Sequence, residues 1–548
     1  MNKVVKVSAE KRDELHKKIT LWLVRCRRPL TLPQHDTEFK EIFACIFRGS
    51  YTPPCYQLVI HNILQLSAEG KARLQHSLKE LLAEAILPCI AGDIWSQGGI
   101  AIFGILVYWL DKNFVVHEKL IASLPFSTVR HTGLELEKAT KKACSEFGVG
   151  QYVLESDGDV PTIDTVADFV HATCSDNASN IVSGWVVFDG HECADHSIAL
   201  CVKTFLDQPG MRKVFMKLRG MTAHFNHSVI GAKLLKQCQD RHKLPESKPP
   251  QDNDTRSGWG GAYNQAQWYY RNQMYDVENL VKAATAVPNP DGSVYKQHQL
   301  VGDEWDIVRE SMHVLMYANQ AVDILQSTKR VTANLYLPVI GRLAHIAHED
   351  DTRLKFEGQS VFILNEEVKK ARKMLYNDVV RRFFNQLQDC KLEDFAVATL
   401  LDPRSTQVLQ VQVCGQEVAG NEDAAPAAKK RKVQSESGIV TAASFLGDSD
   451  SDEECDIPSL VEEIVPETEL DRYLALPYVK KDVDIQEWWK SQAFNFPRLS
   501  QMARQFLGAP ASTAGVERAF SAVTGMHSDL RKCLEEGTIQ HSLMAAMN

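Results

Sequence analysis

At 548 residues the chain exceeds the size at which one hydrophobic core stops growing, so at least two packed units are expected. With 44% apolar and 24% charged residues it is an ordinary globular sequence rather than a disordered or fibrous one. A formal net charge of −9 excludes a protein that coats DNA uniformly, so any nucleic-acid face must be regional, with residues 11–28, 211–219 and 369–382 as the candidates.

The thirteen cysteines are odd in number and scattered, with no Cys-x-x-Cys pair, and the N-terminal residues hold no apolar core of the secretory kind. A reducing intracellular compartment is therefore expected. The longest apolar stretch, residues 98–110, is shorter than the roughly 20 residues of a membrane-spanning helix and suits a buried strand.

Along the chain, Leu74, Leu78, Leu81, Leu82 and Ala85 recur at helical spacing and predict an amphipathic helix over 67–90, stopped by Pro88. Three strand-like runs follow at 90–94, 100–110 and 115–124, with Asp111-Lys112-Asn113 as a polar turn between the last two. A helix is expected over 132–147 and a strand over 169–176. This succession predicts an open sheet with Asp93 and Asp176 at strand ends, where polar chemistry reaches solvent without disturbing the core.

From about residue 214 the period becomes helical. Trp305, Val308, Met312, Leu315 and Val322 mark one stripe, and 366–384 is a second, more basic one. Residues 244–257, rich in Pro, Lys, Asp and Ser, read as a loop. Residues 414–458 carry too few large apolar side chains to fold alone and are expected to be disordered.

The most informative stretch comes last: Ser512-Thr513-Ala514-Gly515-Val516-Glu517-Arg518-Ala519-Phe520-Ser521, followed by Ser528-Asp529-Leu530-Arg531. It resembles the C-terminal signature of hAT-superfamily DNA transposases. Asp93 in Gly92-Asp93-Ile94-Trp95-Ser96 resembles that family's Asp-x-Trp-(Ser/Thr) strand motif, and Ser175-Asp176-Asn177-Ala178-Ser179-Asn180 its Thr-Asp-Asn-x-x-Asn motif. Further blocks keep the family's order: Arg130-His131-Thr132, Ala398 to Arg404, Glu469-Leu470 with Tyr473-Leu474, Trp488-Trp489 and Phe496-Pro497.

The resemblance implies a ribonuclease H-like α/β core interrupted by a large all-α insertion and closed by C-terminal hAT dimerisation helices. The corresponding expected units are an N-terminal helical region 1–88, a first core part 89–210, an insertion 211–413, a linker 414–458 and a C-terminal part 459–548. It further implies DDE-type DNA strand cleavage and strand transfer, transposon-end and target DNA as partners, and at least a homodimer. Residues 1–90 show no ligand spacing of a BED zinc finger, which such transposases commonly carry.

Metal-dependent phosphodiester cleavage needs two hard cations a few ångströms apart, and Mg²⁺ or Mn²⁺ takes carboxylate oxygens. Asp93, Asp176 and Glu517 are the expected catalytic and metal-holding acids, Asp93 bridging two ions. Each alone has a plainer reading as a strand end, a turn or a first-turn helix acid. Together and in order they point to one site.

Cys193-Ala194-Asp195-His196 resembles the family's Cys-x-x-His motif. A zinc site would need a second ligand pair that the sequence does not offer, so a structural or site-lining role is expected for Cys193, with His196 near the scissile phosphate or simply packed. Arg256-Ser257-Gly258-Trp259 falls where the family has an adjacent Arg-Trp pair. Trp259 stacking on an unpaired base, at about 1–3 kcal/mol, competes with its being a core tryptophan. Arg518 is the remaining DNA-contact candidate.

Lys429-Lys430-Arg431-Lys432 reads as a nuclear import signal and the acidic 448–454 tract after it as phosphorylatable. The stripes Val516, Phe520, Val523 and Ile539, Leu543, Met547 have the form of intramolecular core faces, though the resemblance assigns their region to dimerisation. Two functional readings follow: an active nuclear transposase, or a domesticated, inactive, dimerising DNA-associated regulator.

Overall fold

The computed structural model describes residues 7–97, 100–126, 131–154, 161–188, 190–241, 243–251, 260–273, 300, 302–348, 354–356, 359–386, 389–405, 468–477, 479–526 and 536–548. The chain starts with four helices, α1 (Ala9–Arg25), α2 (Leu32–His35), α3 (Thr37–Ile46) and α4 (Tyr56–Ala83). Ser8 and Asp36 cap α1 and α3 by accepting the Lys11 and Phe39 backbone N–H groups, which the first helical turn leaves without partners. The helix expected over 67–90 is the second half of α4, which begins well upstream, at Tyr56.

Three antiparallel strands follow, β1 (Cys89–Gln97), β2 (Ile100–Leu110) and β3 (Val116–Pro125). Residues 101–110 are buried without a break, as expected of a strand covered on both faces. After α5 (Gly133–Glu146), capped by Thr132, comes the hairpin β4 (Tyr152–Leu154) and β5 (Pro161–Asp164). Then come β6 (Thr173–Ser175), α6 (Ser179–Gly184), β7 (Gly190–Glu192) and α7 (Ala194–Leu206). The main sheet has five strands in the order β3-β2-β1-β6-β7, with β6 and β7 parallel to β1.

A mainly helical stretch continues with α8 (Pro209–His227), α9 (Val229–Arg241), α10 (Gly261–Gln273), α11 (Glu304–Leu325) and α12 (Ala333–Ala347). The hairpin β8 (Leu354–Phe356) and β9 (Gln359–Val361), then α13 (Glu366–Val380) and α14 (Asp389–Leu400), complete it. The final elements are α15 (Glu469–Leu474), α16 (Ile485–Gln492), α17 (Pro497–Phe506), α18 (Ala514–Met526) and α19 (Glu536–Met547). Among the described residues no helix is long and apolar enough to cross a membrane.

Several expectations are corrected. Asp93 lies mid-strand in β1 rather than at its end. The strand expected over 169–176 is only Thr173–Ser175, because β1 and β7 each offer it three partners, while Ala167–Phe169 turns as a 3₁₀ helix. Strand β7 is too short to show a period of two. The 305–322 stripe belongs to α11, which is buried around nearly its whole circumference because α7, α8, α10, α12 and α13 surround it. The expected helix over 366–384 ends at Val380 and passes into a π turn, Arg381–Asn385. The 414–458 linker, its basic run and acidic tract, and the 528–531 motif lie outside the described residues, as does most of the second half of the 244–257 loop.

The sequence blocks near the C-terminus meet around one aromatic core. Trp489 is fully buried, donates its indole N–H to the Leu401 carbonyl at 2.8 Å, and stacks on Tyr473 with ring centroids 5.6 Å apart. Tyr473 donates its hydroxyl to the Leu400 carbonyl at 2.9 Å. Asp402 accepts from Asn334 at 2.7 Å and from both sides of the Arg404 guanidinium. This network anchors the C-terminal helices to α12 and α14.

Candidate active site

The register of the sheet determines which side chains meet. Asp93 stands opposite Gly104 on β2, so the two share a face. That face is covered by α18. An added Cβ at Gly104 would sit 2.9 Å from the Phe520 ring and 3.1 Å from Val516, and one at Gly515 would sit 2.1 Å from the Tyr108 hydroxyl. Both glycines are therefore required for α18 to lie so close to the strands. The opposite face is covered by α5 and by Trp185, which packs on Phe103 and donates to Thr140 at 2.9 Å.

On the other side of Asp93 the parallel pairing runs Ala91 with Cys174 and Gly92 with Ser175. One further step brings Asp176, the residue after β6, beside Asp93, close enough for each carboxyl to act on the other. The Asp176 carboxyl also accepts the Ala178 N–H at 3.2 Å. Burial, followed by the charges of Asp176 and Glu517, pushes the Asp93 carboxyl up to about 8, against the opposing effects of His196 and the Ile94 N–H. Burial raises Asp176 as well. One proton between two carboxyls is the arrangement that like charges in a desolvated site enforce.

Glu517, in the first turn of α18, is the third acid on this face. Its Oε1 lies 3.8 Å from His196 Nε2. Burial pulls the His196 imidazole down, but a hydrogen bond and charge from Cys193, with the charges of Glu517 and Asp93, raise it to about 9. Burial pushes the Cys193 thiol up, yet hydrogen bonds from Cys174, His196 and the Thr513 N–H hold it well below the usual range. The Cys-x-x-His motif thus places an imidazolium among the acids. Among the described residues no three His, Cys, Asp or Glu side chains are close-set enough to hold a metal ion, Glu517 reaching His196 instead.

The donor set suits a hard divalent cation in kind. Two adjoining carboxyls and a third across from them carry more negative charge than His196 neutralises, and carboxylate oxygens are what Mg²⁺ or Mn²⁺ takes.

The other expected site residues fare differently. Arg518 faces β3 and donates to Glu118 at 3.0 Å and to the Gln326 carbonyl at 3.3 Å, so its guanidinium is engaged within the chain. Glu118 itself carried no sequence signal. Arg256, Trp259, Lys429, Lys430, Arg431, Lys432 and Arg130 lie outside the described residues. Val516 and Phe520 are buried against the sheet, and Ile539 and Leu543 are buried in α19, which packs on α4 and β3. These side chains pack within the chain's own core, as their form of intramolecular faces led one to expect.

A family model for the hAT family C-terminal dimerisation region matches residues 469–547, which include α18 and α19. The chain is also 20% identical over 92% of its length to a Zea mays protein described as an AC transposase, and 20% identical over 92% to a second Zea mays protein described as an AC9 transposase. A human protein named zinc finger BED domain-containing protein 4 is 22% identical over 65% of the chain and 29% of its own length. These matches make the chain similar to hAT transposases, with the family model confined to its C-terminal region. It spans 61% and 62% of the lengths of the two maize relatives.

Proposed function

We propose that this chain is a DDE-type DNA transposase of the hAT kind, cleaving DNA strands and transferring their ends. The observation that carries this reading is that Asp93 on β1 lies beside Asp176, the residue just after the neighbouring parallel strand β6, with Glu517 carried over the same face by α18. A sheet of order β3-β2-β1-β6-β7 with an acid-bearing helix against its central strands supports a ribonuclease H-like core, formed by 89–210 and 459–548 around an insertion at 211–413.

In this reading Asp93, Asp176 and Glu517 would hold the Mg²⁺ or Mn²⁺ ions. Such ions, when bound, stabilise charge on the attacking and leaving oxygens of an in-line displacement. Before that, Asp93 must give up the proton it shares with Asp176. His196, positively charged beside Glu517, would offer an N–H to a DNA phosphate. DNA ends and target, a homodimer built with the 469–547 region and nuclear action complete the proposal.

The test is nicking of supercoiled plasmid by the full chain with Mg²⁺ or Mn²⁺, against Asp93→Asn, Asp176→Asn and Glu517→Gln. The reading requires cutting that stops in EDTA and in all three variants. Undiminished cutting by the variants would refute it, and a wild-type chain that neither cuts nor binds divalent ions would leave a dimerising nuclear regulator on an inherited scaffold.

A further inference from the structure

The mechanism above uses Asp93, Asp176, Glu517 and His196 and leaves a buried acid, Asp195, without a task. Its side chain is 1% exposed, with one carboxylate oxygen accepting the Ser512 hydroxyl and the other without a hydrogen-bond partner. A carboxyl this deeply buried is costly unless its oxygens find hydrogen-bond donors. Ser512 precedes α18, and the same hydroxyl accepts the Ala514 N–H at 3.0 Å, in the first turn of the helix that carries Glu517.

The segment 510–513 is stitched along its length to the β7–α7 junction. The Pro510 carbonyl is hydrogen-bonded to His191 Nε2 at 2.9 Å, and the Ala511 carbonyl accepts the Ala194 N–H at 3.0 Å. The Thr513 N–H donates to Cys193 Sγ at 3.3 Å, while the Ala511 N–H donates to the Thr332 hydroxyl at 3.2 Å. The junction that grips this segment is also tied to the end of β6 next to Asp176, since Cys193 donates its N–H to the Ser175 carbonyl at 2.7 Å. The third acid is hundreds of residues from the other two in sequence, yet only a few covalent and hydrogen bonds from them here.

We propose that Asp195 is a positioning residue: through Ser512 it fixes the start of α18, and with it Glu517, relative to Asp93 and Asp176. This rests on the metal-dependent reading above. It touches neither substrate nor ion. Its loss therefore loosens the third ligand without removing any, so divalent affinity falls while the bound state remains reachable at high metal concentration.

The experiment measures Mn²⁺ affinity by titration calorimetry at pH 8.5 and the Mg²⁺ concentration giving half-maximal plasmid nicking, for wild type, Asp195→Asn and Ser512→Ala. Circular dichroism melting in EDTA tracks the fold. The expected result is a divalent requirement at least tenfold higher in both variants, with nicking recovered at saturating metal and the far-ultraviolet spectrum kept. Unchanged metal dependence in folded variants overturns the positioning role but leaves the proposed function standing. Failure of both variants to fold makes the clamp purely structural and overturns it too. A wild-type chain that binds no Mn²⁺ removes both proposals together.

Discussion

Replacing Asp93 by Asn tests the electrostatic account of the site directly. The Asp93 carboxyl ionises near 8 in the folded chain, where burial and the neighbouring acids oppose its charge, against about 4 for an unfolded aspartate. The folded state thus binds the proton more tightly than the unfolded one. Stability is therefore lost as pH rises through the interval from about 4 to about 8, and the loss is complete above it. At roughly 1.4 kcal/mol per pH unit, moving from pH 5.5 to 8 costs at most ~3 kcal/mol, shared with the coupled Asp176. Asparagine keeps the shape without the charge, so Asp93→Asn in EDTA is more stable than wild type at pH 8.5, by a few degrees in melting temperature for a chain of this size, and loses most of that advantage at pH 5.5. Adding Mg²⁺ at pH 8.5 raises the wild-type melting temperature and leaves the variant unmoved. Scanning calorimetry at the two pH values decides it, and a variant no more stable than wild type at pH 8.5, or equally favoured at both, refutes the reasoning.

Gly104→Ala drives a methyl group towards Phe520 and Val516, so it destabilises by about 1–3 kcal/mol in urea unfolding and, by lifting α18, weakens Mn²⁺ binding as well. Trp489→Ala removes a fully buried ring and its bond to Leu401, and chemical denaturation should show a loss of about 3–5 kcal/mol without a change in metal affinity of the folded protein. His196→Asn removes a cation that favours ionised Asp93, so the pH midpoint of Mn²⁺ binding moves up; an unmoved midpoint would place the imidazolium outside the site's electrostatics.

Much of the sheet was legible because its strands announce themselves locally. Residues 100–110 are an unbroken apolar run, Asp111-Lys112-Asn113 is a turn, and the observed β2 and β3 follow those limits to within a residue. The short β6 and β7 were not, since three residues bounded by parallel neighbours carry no periodic signal. The polar contacts were equally hidden. Nothing in the spacing of Asp195 and Ser512, or of Glu118 and Arg518, says that they touch, because each pair is separated by hundreds of residues.

The sequence by itself determined the local elements, the order of the motif blocks and the chemistry of their side chains, because helical and strand periods and residue types are properties of short segments. Tertiary structure alone decided that Asp93 sits mid-strand beside Asp176, that α18 rests on Gly104, and that Arg518 is taken up by Glu118. Those outcomes depend on strand register and on helices packing across the sheet, and both are set by contacts between residues far apart along the chain.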